Sequence, residues 1–386
     1  MTRSTVLRAA FAIIAIAFFA APIALRGVGM TATAFENRRL AEPPRASQGW
    51  DAFQQAARFL TDRMPLREQA VRANTKLWET FFGTAPHYGA SGDRGALPFA
   101  GQAEDGARGA GAPKPGGPAL QVLEGRDGWL FLEEELERAC TPPMPFPQAL
   151  EWWARLVSIV RSSGRRAIVF VPPDKGSVYG EYLPGGELAD CARRSKPRFW
   201  RLLARQRRGS GVIGLERALV RKKRRGGDLL FSRRDSHWTD VGGLEMVRLV
   251  LDRLGGRVKL KPAEVVHLGE DRYVGDLTVL RGQSAKDIRP TRSIRRAAGA
   301  RRVPGRTLLV GDSFREAVLP YLRFYFSDLR ESGWEGQTSA QLERAIAGAD
   351  TVIFESVERV FPLLPSGRGP LAEHFLERLR RRLGSD

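Results

Sequence analysis

Hydrophobic and polar positions divide the chain into regions of different character. Residues 9 to 25 are apolar and uncharged, with Arg3 and Arg8 before them and Arg26 after. Between Asp51 and Gly83, Phe53, Ala56, Ala57, Leu60, Leu66, Val71, Leu77, Phe81 and Phe82 suit one or two amphipathic helices, with Pro65 starting or breaking one. Residues 88–118 are rich in Gly, Ala and Pro and lack periodic apolar positions, which predicts a flexible loop. From residue 119 onward, short apolar runs alternate with amphipathic ones. Val122–Leu132 reads as a hairpin around Arg126-Asp127-Gly128. Strands are expected at 165–173, 211–214, 306–313 and 350–357, and helices at 147–163, 195–207, 239–254, 314–323 and 338–348. Wholly apolar strands between helices predict an α/β fold with a mainly parallel sheet, helices on both faces, and a site at the carboxyl ends of the strands.

The amino terminus sets the compartment. An uncharged apolar run behind two arginines is an export signal, at the short limit for spanning a bilayer and longer than a cleaved signal core usually is. Retention as an anchor is expected, since no clean A-x-A site precedes an evident mature terminus; cleavage is the alternative. Either way the positive flank stays inside and the rest is exported. The division is then 1–30 signal anchor or signal peptide, 31–87 juxtamembrane helical segment, 88–118 flexible loop and 119–386 main domain.

Charge and cysteine content refine this picture. Sixty-two Lys and Arg against 43 Asp and Glu give a formal charge of +19, which favours polyanions: nucleic acid, anionic lipid or an acidic polysaccharide. The run Arg221-Lys222-Lys223-Arg224-Arg225 would suit a nucleic-acid patch, but an exported chain without an aromatic-basic module argues against nucleic acid as a partner. Cys140 and Cys191 are the chain's two cysteines. Export predicts a disulfide between them, and without a C-x-x-C a redox or zinc-finger role has little support.

Two segments carry candidate chemistry. Leu308-Leu309-Val310-Gly311-Asp312-Ser313 runs from a buried strand into a helical segment. That turn would expose the Ser313 hydroxyl, with its own N–H and the helix start available to an oxyanion. A serine that merely caps the next helix is the plainer reading. In Asp235-Ser236-His237-Trp238, residues two apart in an extended segment face one side, so the carboxylate can fix the imidazole tautomer and stabilise the imidazolium. Metal ligation by Asp235 and His237 lacks a third His or Cys at ligand-like spacing, although Asp312 could contribute. His87, His267 and His374 read as structural or surface residues.

With these residues in view, the chain resembles the alginate O-acetyltransferase family of SGNH-hydrolase-like proteins, which act in exopolysaccharide acetylation. The D-x-H-W and G-D-S segments carry the resemblance. Glu36-Asn37-Arg38-Arg39-Leu40, Asp62-Arg63-Met64-Pro65-Leu66-Arg67, Gly125–Phe131, Pro173-Asp174-Lys175 with Val178-Tyr179, and Val352–Arg359 follow in the family's order. The resemblance implies an SGNH-like, flavodoxin-type domain in which Asp235 orients, His237 acts as base and Ser313 attacks. It implies no cofactor, a polysaccharide acceptor, and a multi-span membrane acyltransferase as acetyl donor at the inner membrane, with the catalytic domain in the periplasm. Lys175 and Tyr179, after a strand, and Arg315 and Tyr325, after the serine, are candidate cleft residues. The asparagine and glycine of an SGNH oxyanion hole have no evident counterpart. A carbohydrate acetyl esterase with the same triad, or a non-catalytic glycan-binding assembly protein, are the alternative functions.

Overall fold

In the computed structural model, residues 121–206, 209–334, 337–367, 371 and 374–384 are described. The expected anchor, the helices at 51–83, the 88–118 loop and the motifs at 36–40 and 62–67 lie outside the described residues. Among the described residues, no helix is long and apolar enough to cross a membrane.

β1 (Val122–Glu124) and β2 (Leu130–Leu132) form the antiparallel hairpin, with Val122 opposite Leu132. Its turn needs positive φ at two successive positions, met by Asp127 at 55° and Gly128 at 72°. α1 (Glu133–Cys140), α2 (Phe146–Ser162), β3 (Arg166–Val171), the short α3 (Lys175–Val178) and α4 (Glu187–Ala204) follow. α4 starts earlier than expected and keeps Pro197 inside it. Burial of Ala189, Ala192, Phe199, Trp200 and Leu203 along one face outweighs the local cost of the proline. Cys140 and Cys191 are disulfide-bonded, with Cα atoms 5.9 Å apart. The bridge closes a loop with a sequence separation of 51, a constraint on the unfolded chain of about 4 kcal/mol in the chain-entropy account.

Next come β4 (Val212–Gly214), α5 (Glu216–Arg224) and α6 (Asp240–Leu254). A two-stranded antiparallel ribbon then leaves the main sheet: β5 (Val265–Tyr273) and β6 (Asp287–Ile294), with α7 (Asp276–Leu280) in the connection between them. The chain returns through β7 (Val303–Gly311), a 3-10 turn (Ser313–Ala317), α8 (Leu319–Leu322), β8 (Phe326–Gly333), α9 (Ser339–Ala347), β9 (Thr351–Glu355) and α10 (Phe375–Leu383). The helix expected at 314–323 is thus split, because Pro320 has no N–H to continue the hydrogen-bond ladder.

The five-stranded sheet has the order β4-β3-β9-β7-β8, and its pairings are parallel. The last strand, β9, is inserted between β3 and β7 and is buried along its whole length. Alternate residues feed two cores. Ile168, Phe170, Leu309 and Ile353 face one layer with α6, while Ala167, Val169, Leu308, Val310, Val352 and Phe354 face the other with α2, α9 and α10. The fold is therefore the expected α/β arrangement, a parallel central sheet with helices on both faces.

Candidate active site

Ser313 lies one residue beyond the carboxyl end of β7, after Asp312. The turn is shaped by Asp312, whose Oδ1 accepts from the Phe314 N–H at 3.0 Å and whose Oδ2 accepts from the Val357 N–H at 2.8 Å, tying it to the segment after β9. The Ser313 N–H has no acceptor among the described residues and is free to meet an oxyanion. The Arg315 guanidinium folds back onto the same turn, donating to the carbonyls of Gly311 at 2.9 Å and Asp312 at 2.7 Å.

The facing segment is a loop between Leu229 and Thr239. A β-bridge pairs Phe231 with Trp238, and the Thr239 N–H donates to the Leu230 carbonyl at 2.9 Å. Thr239 then caps α6, its hydroxyl accepting from the Val241 N–H. Asp235 and His237 meet by a different device from the expected extended strand. The Asp235 carboxylate accepts from the His237 backbone N–H at 2.8 Å, an Asx turn that brings residue i+2 back beside it. The same Oδ1 lies 2.9 Å from His237 Nδ1, and His237 Nε2 lies 2.8 Å from Ser313 Oγ. Trp238 joins the two halves: its indole N–H donates to the Phe314 carbonyl at 3.0 Å, and its ring packs on the Phe314 ring.

A group without a sequence signal completes the arrangement. Asp276, the first residue of α7, reaches in with Oδ2 3.4 Å from His237 Nδ1. Its Oδ1 accepts from the Ser236 N–H at 2.7 Å, and Ser236 Oγ donates to Oδ2. Gly275 makes this approach possible, since a Cβ there would sit 2.1 Å from the Arg234 carbonyl oxygen. Asp235, Asp276 and His237 are all buried. Burial alone would lower the imidazole pKa, but hydrogen bonds to Asp235 and Asp276 outweigh it and raise it to about 10. Burial, and then the neighbouring Asp276, push Asp235 up. Asp276 is itself held down by the imidazole, against its own burial.

Asp235, His237 and Asp276 also form the type of cluster that could ligate a cation. The third group is Asp276 and not Asp312, which faces the other way. A spacing of 2.9 Å between Nδ1 and the Asp235 oxygen is that of a shared proton. The carboxylate oxygens already accept backbone and hydroxyl hydrogens, so the donor set is arranged for an N–H rather than a metal.

The other candidate cleft residues lie inside the fold. Lys175 is fully buried, its ammonium donating to the carbonyls of Ser232 at 3.3 Å, Arg233 at 3.0 Å and Asp235 at 2.8 Å. Burial lowers its pKa to about 8, opposed by Glu135, Asp276 and Asp235. Tyr179 packs at a tilt against Trp129, and its hydroxyl accepts from the Leu230 N–H at 3.1 Å. Both brace the histidine loop from beneath. Tyr325 is a correction of a different kind. Its carbonyl accepts from the N–H of Val303, the first residue of β7, so it sits at the amino-terminal edge of the sheet, opposite Ser313, with its hydroxyl on Glu264 at 2.8 Å. The chain holds asparagine at positions 37 and 74 alone, both outside the described residues, so no described residue supplies an oxyanion-hole asparagine.

A second buried polar cluster lies beyond Phe314. Arg359 pairs with Asp174. Lys196 Nζ lies 3.6 Å from Asp174 and 3.5 Å from Glu358. Glu358 accepts from Ser177 Oγ at 2.6 Å and from the Asp174 N–H at 3.1 Å. Burial would discharge Lys196, but Glu358, Asp174 and Glu135 outweigh it and keep it charged.

Comparison with known proteins gives the chain's family. The protein described as "probable alginate O-acetylase AlgJ" of Pseudomonas aeruginosa is 30% identical over 168 residues, 40% of this chain, and the chain spans about 40% of that relative's length. The O-acetyltransferase domain of Pseudomonas putida AlgJ superposes with a TM-score of 0.44 at 22% identity, covering 67% of this chain and 98% of that one. Pseudomonas aeruginosa AlgX superposes with a TM-score of 0.44 at 15% identity, covering 62% of each chain. The model of the AlgX acetyltransferase family, an SGNH hydrolase-like domain, matches residues 122–317, about half of the chain, and the chain belongs to that family.

Proposed function

We propose that the chain is an O-acetyltransferase that acetylates an exported polysaccharide through an acetyl-Ser313 intermediate. The observation that carries the reading is the unbroken series Asp235 Oδ1, His237 Nδ1, His237 Nε2, Ser313 Oγ, with spacings of 2.9 and 2.8 Å, ending on a hydroxyl at the sheet's carboxyl edge. In the first half-reaction, neutral His237 takes the Ser313 proton at Nε2 as Oγ bonds to the acetyl carbonyl carbon. The donor's leaving group departs with that proton. In the second, His237 removes a proton from a sugar hydroxyl, whose oxygen bonds to the same carbon; Ser313 Oγ leaves and recovers the proton. The Ser313 N–H faces the developing oxyanion, and Asp235 steadies the imidazolium formed in each half.

The reading includes a periplasmic setting, an acetyl donor delivered by a membrane acyltransferase and an acidic glycan as acceptor, a choice that the formal charge of +19 favours and that matches a relative described as a probable alginate O-acetylase. The test supplies an aryl acetate with and without an acidic oligosaccharide and follows where acetyl goes. Acetyl on the sugar, lost in Ser313→Ala, is the expected result. Release as acetate alone, unchanged by any acceptor, would make the protein an esterase.

A further inference from the structure

We infer that Asp276 is a positioning residue for the same imidazole: a second carboxylate on Nδ1, delivered by the β5–β6 ribbon, that shares with Asp235 the holding of the ring and its Nδ1 proton. The inference rests on the acyl-serine reading above and deepens it.

Two carboxylates face one imidazole edge. Asp235 Oδ1 is 2.9 Å from Nδ1 and Asp276 Oδ2 is 3.4 Å from it. Ser236 Oγ, 3.3 Å from Nδ1, links the ring to Asp276. Among the described residues, neither carboxylate has a Lys or Arg within ion-pair distance. Other charged or titratable groups pack around the site from several elements. Lys175 on α3 spends its ammonium on backbone carbonyls, and Asp287 at the start of β6 accepts from the Arg234 N–H at 2.9 Å. Tyr273 ends β5, and Arg359 lies on the Phe314 ring. The Lys175 ammonium attracts both carboxylates from the far side of the loop, but the imidazolium is the cation that touches Asp235 and Asp276 together.

This has a direct kinetic meaning. Taking the serine proton creates that cation, so a second carboxylate stabilises the product of the proton transfer. It also makes the resting ring reluctant to lose its proton, and the ring must be neutral before it can act. The attacking rate should therefore rise with pH about a midpoint above the ordinary imidazole value of 6.5. Asp276→Asn keeps the shape, removes the charge and should move that midpoint down by about one unit or more. Asp276→Glu should restore much of the shift. A residue needed only for folding would change yield or thermal stability without moving the midpoint.

The experiment measures labelling of Ser313 by an aryl sulfonyl fluoride against pH, read by mass spectrometry. Oγ bonds to sulfur, fluoride leaves and His237 takes the proton, so no glycan or acetyl donor enters. The expected result is a wild-type midpoint above 6.5, a lower one in Asp276→Asn and recovery in Asp276→Glu. An Asp276→Asn profile superimposable on wild type would overturn this inference alone, whereas no labelling of wild-type Ser313 at any pH would overturn the acyl-serine reading. If Asp276→Asn does not fold, nitrogen NMR of wild-type His237 decides. An imidazole still protonated about one unit above 6.5 supports the pairing, and one neutral by 6.5 contradicts it.

Discussion

Phe314 separates two buried polar clusters that handle charge in opposite ways. On one side its ring lies 5.3 Å from His237, on the other 5.6 Å from the Arg359 guanidinium. The Asp174–Lys196–Glu358–Arg359 group sets cations against anions, leaving the Lys196 ammonium and Arg359 Nε without a hydrogen bond. Its members are held by mutual attraction, and its role is to lock the segments after β3 and β9 onto α4. The Asp235–His237–Asp276 group gathers two anions around a base, gives their oxygens hydrogen-bond donors in place of cations, and ends on a serine that solvent can reach. Direct pairing of opposite charges suits a structural role, whereas two carboxylates on one imidazole edge suit a group that takes up a proton.

Breaking the balanced cluster should have the largest effect on the fold. Arg359→Met leaves Asp174 buried beside a single ammonium and should cost about 3–5 kcal/mol in denaturant unfolding. Trp238→Phe tests the link between the two halves of the site. It leaves the Phe314 carbonyl without its indole donor and should cost about 1–3 kcal/mol, while Ser313 labelling slows more than the stability loss explains. Thr239→Ala removes the α6 cap and should lower stability by about 1 kcal/mol with the labelling midpoint unmoved.

pH sharpens the same contrast. The folded His237 pKa, about 10, stands above the ordinary 6.5. The stability contributed by protonated His237 is therefore complete below pH 6.5 and is lost as pH rises towards 10. Equilibrium unfolding of wild type should show that decline, and His237→Gln should flatten it. A decline of equal size in His237→Gln would assign the proton to another group.

Much of this was legible in the sequence, for identifiable reasons. The apolar strands β3, β7 and β9 announce a buried parallel sheet, and D-x-H-W with G-D-S contains the histidine, one of its carboxylates and the serine. The ribbon β5–β6 and the edge strand β8 escaped because β5 and β8 are largely exposed and charged, as in Leu268-Gly269-Glu270-Asp271-Arg272, and β6 buries Pro290 and Arg292 in alternation, so no apolar period marks them. Asp276 escaped for a related reason: it reaches His237 only through the fold of that ribbon, and a Gly-Asp pair is too short to signal it. The need for Gly275, set by its closeness to the Arg234 carbonyl, shows only in the folded chain. Lys175 and Tyr179 were drawn to the right region, but burial turned them from cleft wall to support.

The account depends most on the bond that Ser313 forms. Brief exposure of the whole protein to an acetyl donor, acid quenching and peptide mass spectrometry would read it directly. Acetyl on the Ser313 peptide, absent in His237→Ala and cleared by added acceptor glycan, is the predicted result. Glycan acetylation that proceeds at the wild-type rate in Ser313→Ala, with acetyl on another residue or on none, would contradict it.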